Sequence, residues 1–169
     1  TEIEDYNIIT VAWTGTICSD PPMCYVSIRK SRHSYDIIKK TGCFCLNLTT
    51  EELCRKVDWC GVKSGKDYNK FIEMNLTPMR APNIPTVMIQ ESPLSIECKV
   101  VEIKELGSHD MFIANVVGVN AEEKYINPKT KEFDLKKANL ITYNHGKYYS
   151  IGNELGFFGY SIKKKIKKN

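Results

Sequence analysis

The sequence predicts a mainly β protein whose strands close, or nearly close, into a barrel with a few short helices inserted. Two runs in the second half carry most of this signal, SIECKVVEIKEL (95–106) and MFIANVVGVN (111–120). Both are rich in strand-forming residues, and the few residues GSHD between them are typical of a hairpin turn. Strand signals of this antiparallel kind favour a barrel over a doubly wound parallel sheet.

Three further strands are predicted in the first half of the chain. They are IITVAW (8–13), CYVSIRK (24–30) and CFCLNL (43–48). Because side chains alternate between the two faces of a strand, Cys43 and Cys45 are expected on the same face of the sheet.

Short helices are predicted between these strands. Ser34 can cap the N-terminus of the first helix and Gly42 can end it. In the second, Thr49 and Glu52 have the spacing of a capping box, and Gly61 can end the helix. Further on, the expected elements are a helical turn with Lys70 and Phe71, an irregular extended stretch NIPTVMIQESP, a polar loop over 121–138, and a strand and turn in NLITYNHGKYYSIG.

Composition describes an ordinary globular protein. The 169 residues are 42% hydrophobic and 26% charged, and we expect one domain over 1–162 followed by a lysine-rich tail over 163–169. The formal charge is +4, but the five lysines of the tail exceed this surplus. The body is therefore near neutral, and no nucleic-acid partner is expected. No apolar run approaches the roughly 20 residues that span a membrane, so no membrane association is expected.

The chain contains seven cysteines and only three histidines. The cysteine count is odd, there is no CxxC pair, and no histidine lies near a cysteine pair. Buried reduced thiols are the interpretation that fits best, with a metal site or disulfides as alternatives. Such use of unpaired cysteine favours a reducing cytoplasm, such as that of an anaerobe.

Several catalytic and nucleotide-binding motifs are missing. No G-x-G-x-x-G follows a strand, and no G-x-S-x-G is present. The segment GVKSGK (61–66) resembles a Walker A motif but is one residue short between its glycines, and Asp67 stands where Ser or Thr is needed. His109 lies in the predicted hairpin turn, where a solvated surface histidine is the simpler interpretation.

Two stretches are suited to ligand binding. Ser27, Arg29, Arg32 and Ser34 run from a strand end into a helix N-terminus, a combination that can bind phosphate, although a capped helix with exposed basic residues is the alternative. The second stretch begins at Trp13, which otherwise reads as a core residue. Small residues that follow it would let the backbone approach a flat ligand such as a flavin ring: Thr14, Gly15, Thr16, Cys18 and Ser19.

Four segments, in order, resemble the flavin reductase-like family, whose FMN-binding split β-barrel is of the Greek-key type, and among its members most resemble the flavoredoxins. The segments are NIITVAWTG…SDPP, VSIRK-x-RHSY, CG-x-x-SG-x-D-x-x-KF and LGSH-x-MFI. The resemblance covers roughly residues 7–162. Relatives usually have a further strand before the point where this chain starts, so the first barrel strand is expected to be missing.

The resemblance implies a homodimer with noncovalent FMN near the subunit interface. It implies FMN contacts at Asn7, Trp13, Ser34, Lys70 and His109, and an aromatic contact for which Tyr143 is the best placement. No catalytic residue or metal ligand is assigned. With the flat-ligand and phosphate stretches included, the predicted FMN-binding set is Asn7, Ala12, Trp13, Thr14, Cys18, Ser19, Ser27, Arg29, Ser34, Lys70, His109 and Tyr143.

The resemblance implies redox chemistry through bound FMN. An NAD(P)H:flavin oxidoreductase is one hypothesis, and an electron carrier fed by a ferredoxin-like iron–sulfur protein is a second. A binding module without redox function is a third. The sequence has no nicotinamide motif that separates the first two, because in this fold a nicotinamide would stack on the flavin in an open cleft.

Overall fold

The computed structural model describes residues 5–162 and confirms a mainly β architecture. The predicted tail, 163–169, lies outside the described residues. In chain order the elements are β1 (Thr14–Ser19), β2 (Pro22–Ile28), α1 (His33–Thr41), β3 (Cys43–Asn47), α2 (Cys54–Val62), α3 (Lys70–Glu73), β4 (Pro78–Arg80), β5 (Val87–Ile89), β6 (Leu94–Glu105), β7 (Asp110–Ala121), β8 (Ile141–Asn144) and β9 (Lys147–Ser150), with 3-10 turns at Glu123–Tyr125 and Tyr160–Ile162.

The main sheet has five antiparallel strands in the order β1-β2-β7-β6-β3. Its centre is the long β6–β7 hairpin, and the predicted turn is confirmed: the amide of Leu106 donates to the carbonyl of His109 at 3.0 Å. Strands β1 and β3 form the two edges of the sheet. The other strands form two separate hairpins, β4–β5 and β8–β9.

The core lies on the inner face of this sheet, beneath α1. Phe112 and Ala114 of β7 are fully buried, and Tyr35 and Ile38 of α1 pack in the same cluster. The Tyr35 ring meets Phe112 edge to face at 5.3 Å, and its hydroxyl donates to the buried carboxylate of Asp110 at 2.6 Å. Burying a large apolar side chain contributes about 1.5–3 kcal/mol, so these contacts fix α1 against the barrel.

The cysteines contribute to packing on both sides of β3. Cys43 and Cys45 contact one cluster, around Met88, while Phe44 faces the main core. The prediction that the two cysteines share a face is therefore confirmed. All seven cysteines are free, and the Sγ atoms of Cys24 and Cys98 lie 3.4 Å apart within the main core.

The predicted strand IITVAW is wrong, because residues 5–11 have no regular secondary structure and β1 begins only at Thr14. The apolar pattern has another cause. Ile8 packs in a cluster around Phe71, whereas Ile9 and Val11 pack against the main core. An extended segment held between two apolar clusters shows the same alternation as a strand. The small residues that were expected to approach a flat ligand form β1.

Helix boundaries also differ from the prediction. Ser34 is the second residue of α1 and does not cap it, although Gly42 does end the helix, with φ 67°. The second helix begins at Cys54, so the capping box predicted at Thr49 and Glu52 is wrong, and the helix continues past Gly61. The stretch expected to be irregular, NIPTVMIQESP, contributes β5 to a hairpin with β4. Among residues 5–162, no helix is long and apolar enough to cross a membrane.

Candidate functional site

A cavity of about 730 Å³ lies where the two edges of the sheet face the N-terminal segment. Both edge strands line it, together with α1, α2 and residues 6–12. Its walls are largely apolar and include Ile9, Val11, Val26, Ile38 and Phe44. A cavity of this size and character is typical of sites for organic ligands and cofactors. We call it the apolar cavity.

A smaller cavity of about 150 Å³ adjoins the apolar cavity, and Asn7, Ile9, Arg32 and Ser34 line both. It lies at the N-terminus of α1, where no side chain caps the helix. The free amides and the dipole of such an end favour an anion. Cations add to this preference, so we call it the cationic pocket. Its other lining residues are Ser31, His33, Lys63, Ser64, Gly65 and Lys70.

A hydrogen bond between Asn7 and Ser34 joins the N-terminal segment to α1. The Asn7 amide nitrogen donates to the Ser34 hydroxyl at 2.8 Å. Because this hydroxyl accepts from Asn7, its own proton remains available to a ligand oxygen. Gly65 lies directly against the same amide: a Cβ there would be 2.2 Å from Oδ1 of Asn7. Only glycine at this position leaves space for the amide.

Lys70 is 4% exposed and links the N-terminal segment to α2. Its ammonium donates to the carbonyl of Ile8 at 2.8 Å and to that of Cys60 at 2.6 Å. Burial lowers the pKa of Lys70; the Cys60 thiol acts in the opposite direction, and Arg32 lowers the pKa further. Two of the three ammonium protons are used in these bonds, which leaves one for a ligand in the cationic pocket that Lys70 lines. Lys70 is therefore both a structural group and a candidate ligand group.

The β8–β9 hairpin contributes aromatic side chains to the apolar cavity. Tyr143 and Tyr148 line it, with ring centroids 5.2 Å apart. The Tyr148 hydroxyl donates to the carboxylate of Asp58 on α2 at 3.1 Å, and burial, assisted by this bond, raises the pKa of Tyr148 to about 12. This side-chain bond attaches the β8–β9 hairpin to α2, in addition to the backbone bond that the amide of Ile141 donates to the carbonyl of Thr49 at 3.1 Å.

The structure divides the FMN-binding set predicted from the sequence. Asn7, Ala12, Thr14, Ser34 and Tyr143 line the apolar cavity, and Lys70 joins Asn7 and Ser34 in the cationic pocket. The remaining predicted residues line neither cavity of the single chain: Trp13, Cys18, Ser19, Ser27, Arg29 and His109.

The residues that line neither cavity lie elsewhere on the sheet and its turns, and their part in FMN binding stays a prediction. Trp13 is 62% exposed, and its carbonyl accepts a hydrogen bond from the amide of Ser27. Ser27 alternates with the inward Val26, so it faces away from the core, and Arg29 is exposed. His109 lies at the hairpin turn beside the Ser108 hydroxyl, at 2.9 Å.

Sequence reasoning overlooked one wall of the cationic pocket. The segment GVKSGK, rejected as a Walker A motif, contributes Lys63, Ser64 and Gly65 to that wall. The signal was available in the spacing CG-x-x-SG-x-D-x-x-KF, which places this loop just before Lys70. Asp58 and Tyr148 were also overlooked, because a contact across 90 residues leaves no local pattern.

The fold and the site together define a split-barrel protein with an apolar cavity joined to a cationic pocket. The chain matches the family model of the flavin reductase like domain over residues 1–152, and it belongs to that family.

Solved structures and a curated relative are similar to this chain. Flavoredoxin of Desulfovibrio vulgaris (Miyazaki F) has 28% identity and a TM-score of 0.87, covering 93% of this chain and 85% of that one. A split-barrel domain protein of Shewanella frigidimarina has 22% identity and a TM-score of 0.81, covering 91% of this chain and 78% of that one. At this identity the similarity supports the fold alone. An uncharacterized protein of Archaeoglobus fulgidus is 30% identical over 117 residues, which are 69% of this chain and 66% of that relative.

Proposed function

We propose that this chain binds FMN noncovalently and transfers hydride or electrons through it. The observation that carries this proposal is that an apolar cavity of about 730 Å³ adjoins a cationic pocket, and four residues line both. FMN has the matching chemistry, a flat apolar ring system joined to a phosphate. Membership of the flavin reductase like family, and similarity to a flavoredoxin at 28% identity, support a flavin as the ligand.

The residues present fit FMN. The phosphate would lie against Arg32, Lys63 and the free hydroxyl proton of Ser34, at the uncapped end of α1. The ring would lie in the apolar cavity, where aliphatic walls exclude water and Tyr143 and Tyr148 offer flat contacts. FMN bound there supplies two-electron chemistry with a hydride donor or one-electron chemistry with an iron–sulfur protein. The chain's own groups bind and orient the cofactor.

A reductase using NAD(P)H is the first candidate activity. An electron carrier fed by a ferredoxin-like protein is the second, and similarity to flavoredoxin favours it. Hydride transfer needs only a cleft that brings the donor carbon to about 3–3.5 Å from the flavin. The cytoplasmic location and the single domain over 1–162 expected from the sequence stay predictions.

The purified protein is expected to be yellow and to release about one FMN per chain on heating, since one cationic pocket can hold one phosphate. Under nitrogen, bleaching of the flavin band identifies the donor. Fast bleaching by NADH or NADPH supports the reductase, whereas bleaching only by reduced ferredoxin supports the carrier. Colourless protein that takes up no added FMN would contradict the proposal itself.

Replacing Gly65 with alanine should weaken FMN binding about tenfold. The added Cβ displaces the Asn7 amide, and the bond to Ser34 that positions the hydroxyl is lost. Gly152→Ala is the matched control, because nothing lies within 4 Å of its Cβ. Titration of flavin fluorescence measures both variants, and equal affinities would show that Asn7 has no part in binding.

We also propose that the chain forms a homodimer. Strand β7 has apolar residues on both faces: Phe112 and Ala114 face the core, while Ile113 and Val117 lie on the opposite face, and Val117 is exposed. A strand with this pattern needs cover on both sides. Because a cofactor at a dimer interface is reached from both copies, Trp13 and His109 remain proposed FMN contacts.

A further inference from the structure

One wall of the cationic pocket is made by a short loop, residues 63–68, that follows α2. The amide of Lys63 donates to the carbonyl of Trp59 at 3.0 Å, which is the bond that ends the helix. At the other end of the loop, the amide of Tyr68 donates to the carbonyl of Ser64 at 3.2 Å. The backbone of the loop is therefore held at both ends.

The side chain of Lys63 contacts an aromatic ring of the same loop. Lys63 is exposed and lines the cationic pocket, and within residues 5–162 it takes part in no ion pair. Its ammonium lies over the ring of Tyr68, 5.5 Å from the ring centroid. The negative face of an aromatic ring attracts a cation within about 6 Å of its centroid. The ring contact leaves the three ammonium protons available to a ligand.

The Tyr68 ring is itself held by α2. Its centroid lies 5.5 Å from that of Trp59, with the ring planes at 74°, which is the edge-to-face arrangement that aromatic pairs prefer. Tyr68 is 38% exposed and lines neither cavity. An effect of Tyr68 on a ligand in the cationic pocket therefore has to act through Lys63.

Other cationic side chains of the pocket are also held by neighbouring groups. Lys70 donates to two backbone carbonyls, and Arg32 donates to the carbonyl of Gly61. An exposed lysine loses much rotamer freedom when it binds a ligand. A lysine that is already held in place loses less of this freedom, so the ligand binds more tightly. For Lys63, the group that holds the side chain is an aromatic ring.

We propose that Tyr68 is a positioning residue whose ring holds the Lys63 ammonium at the cationic pocket, in place for the phosphate of FMN. This proposal rests on the FMN binding proposed above and adds the group that orders one phosphate contact. The opposite effect would be a ring that keeps the ammonium away from the phosphate. Positioning is favoured because Lys63 lines the pocket and contacts the ring in one and the same arrangement.

The first test compares FMN and riboflavin affinities of wild type, Tyr68→Leu and Tyr68→Phe by fluorescence titration. Leucine removes the ring but keeps an apolar group beside Trp59, so Tyr68→Leu should weaken FMN binding about two- to fivefold. Riboflavin affinity should not change, because riboflavin has no phosphate. Tyr68→Phe is the matched control: it keeps the ring face and should bind both flavins as the wild type does.

The second test asks whether Tyr68 acts through Lys63. In a Lys63→Met background, Tyr68→Leu should no longer change FMN affinity, because the cation that the ring holds is absent. The apoprotein gives a signal that needs no FMN. Protons above an aromatic ring are shifted upfield in nuclear magnetic resonance spectra, so the Lys63 methylene next to the ammonium should show this shift in wild type and Tyr68→Phe and lose it in Tyr68→Leu.

The contrary results are distinct from one another. An unchanged or tighter FMN affinity in Tyr68→Leu would overturn positioning and leave FMN binding intact. Equal loss of both flavins, or a Tyr68 effect that persists in Lys63→Met, would show that the ring acts on the fold and would overturn the proposal as well. A wild type that binds no FMN would overturn the proposed function and the role of Tyr68 together.

Discussion

Replacing Arg32 with alanine is expected to weaken FMN binding about 10- to 150-fold and to leave riboflavin binding within about twofold. Arg32 lines both cavities, and within residues 5–162 the hydrogen bond of its guanidinium goes to the carbonyl of Gly61 and is long at 3.3 Å. The guanidinium is therefore available to a phosphate, and a hydrogen bond between charged groups contributes about 1.5–3 kcal/mol. Riboflavin lacks the phosphate, so its affinity should be nearly the same for the wild type and the variant.

Arg29→Ala is the matched control for this experiment. Arg29 precedes Arg32 by three residues and has the same charge, yet it is exposed and lines neither cavity. Its removal should change FMN affinity by less than about twofold, apart from a weak long-range effect that salt screens. Fluorescence titrations with FMN and riboflavin, at one ionic strength, measure all three proteins. If Arg32→Ala weakens both ligands equally, the phosphate does not lie in the cationic pocket.

A variant that removes a hydroxyl tests the same pocket. Ser34→Ala should also reduce FMN affinity more than riboflavin affinity, by about tenfold, because the free hydroxyl proton is lost. The Asn7 amide then loses its acceptor, so part of the effect comes from the N-terminal segment. The ratio of FMN to riboflavin affinity separates the two contributions, since only the phosphate contact is specific to FMN.

The centre of the fold could be predicted from the sequence because its signals are local. The β6–β7 hairpin combines two strand-forming runs with a turn of four residues, and Gly42 ends α1 by its own conformational preference. The IITVAW segment was wrongly predicted as a strand for a physical reason. Ile8 and Ile9 point to opposite sides because they pack against different clusters, and the segment does not pair with a neighbouring strand. An alternating apolar pattern shows that successive side chains are buried on opposite sides, but it does not show that the segment pairs with another strand.

The candidate site was less predictable because its geometry depends on distant contacts. Asn7 and Ser34 were chosen from the resemblance, and the structure brings them together across 27 residues. Gly65 escaped notice because its role is to leave space for Asn7, and an absent Cβ has no sequence pattern of its own. Conversely, Cys18 and Ser19 were chosen as small residues near a flat ligand, but they lie at the far end of β1, beyond the residues that line the cavity.

Lys70→Met should lower the free energy of unfolding by about 2–4 kcal/mol, even without FMN. The variant keeps the apolar part of the side chain but leaves the carbonyls of Ile8 and Cys60 without their donor in a buried position. Losing hydrogen bonds from a charged group, with acceptors left unsatisfied, accounts for a loss of this size. Lys66→Met is the control: Lys66 is exposed in the preceding loop, so its removal should cost less than about 0.5 kcal/mol. Urea denaturation of the apoproteins measures these differences.

The difference in unfolding free energy between wild type and Lys70→Met should depend on pH if Lys70 is a buried ammonium, but not if the variant only changes packing. Burial lowers the pKa of Lys70 below 10.5, so between the lowered pKa and 10.5 the unfolded chain holds more protons than the folded chain. Folding stability contributed by Lys70 therefore rises with pH through this window. Cys60 increases the stability difference in the same direction. Burial raises the pKa of its thiol and Lys70 partly offsets this, so the pKa would rise further in Lys70→Met. The variant would then lose more stability than the wild type as the pH rises. The stability difference between wild type and Lys70→Met should thus widen as the pH rises from the lowered pKa of Lys70 toward 10.5. A difference that stays constant with pH would show that the pKa of Lys70 is not shifted by folding, which would contradict a buried ammonium.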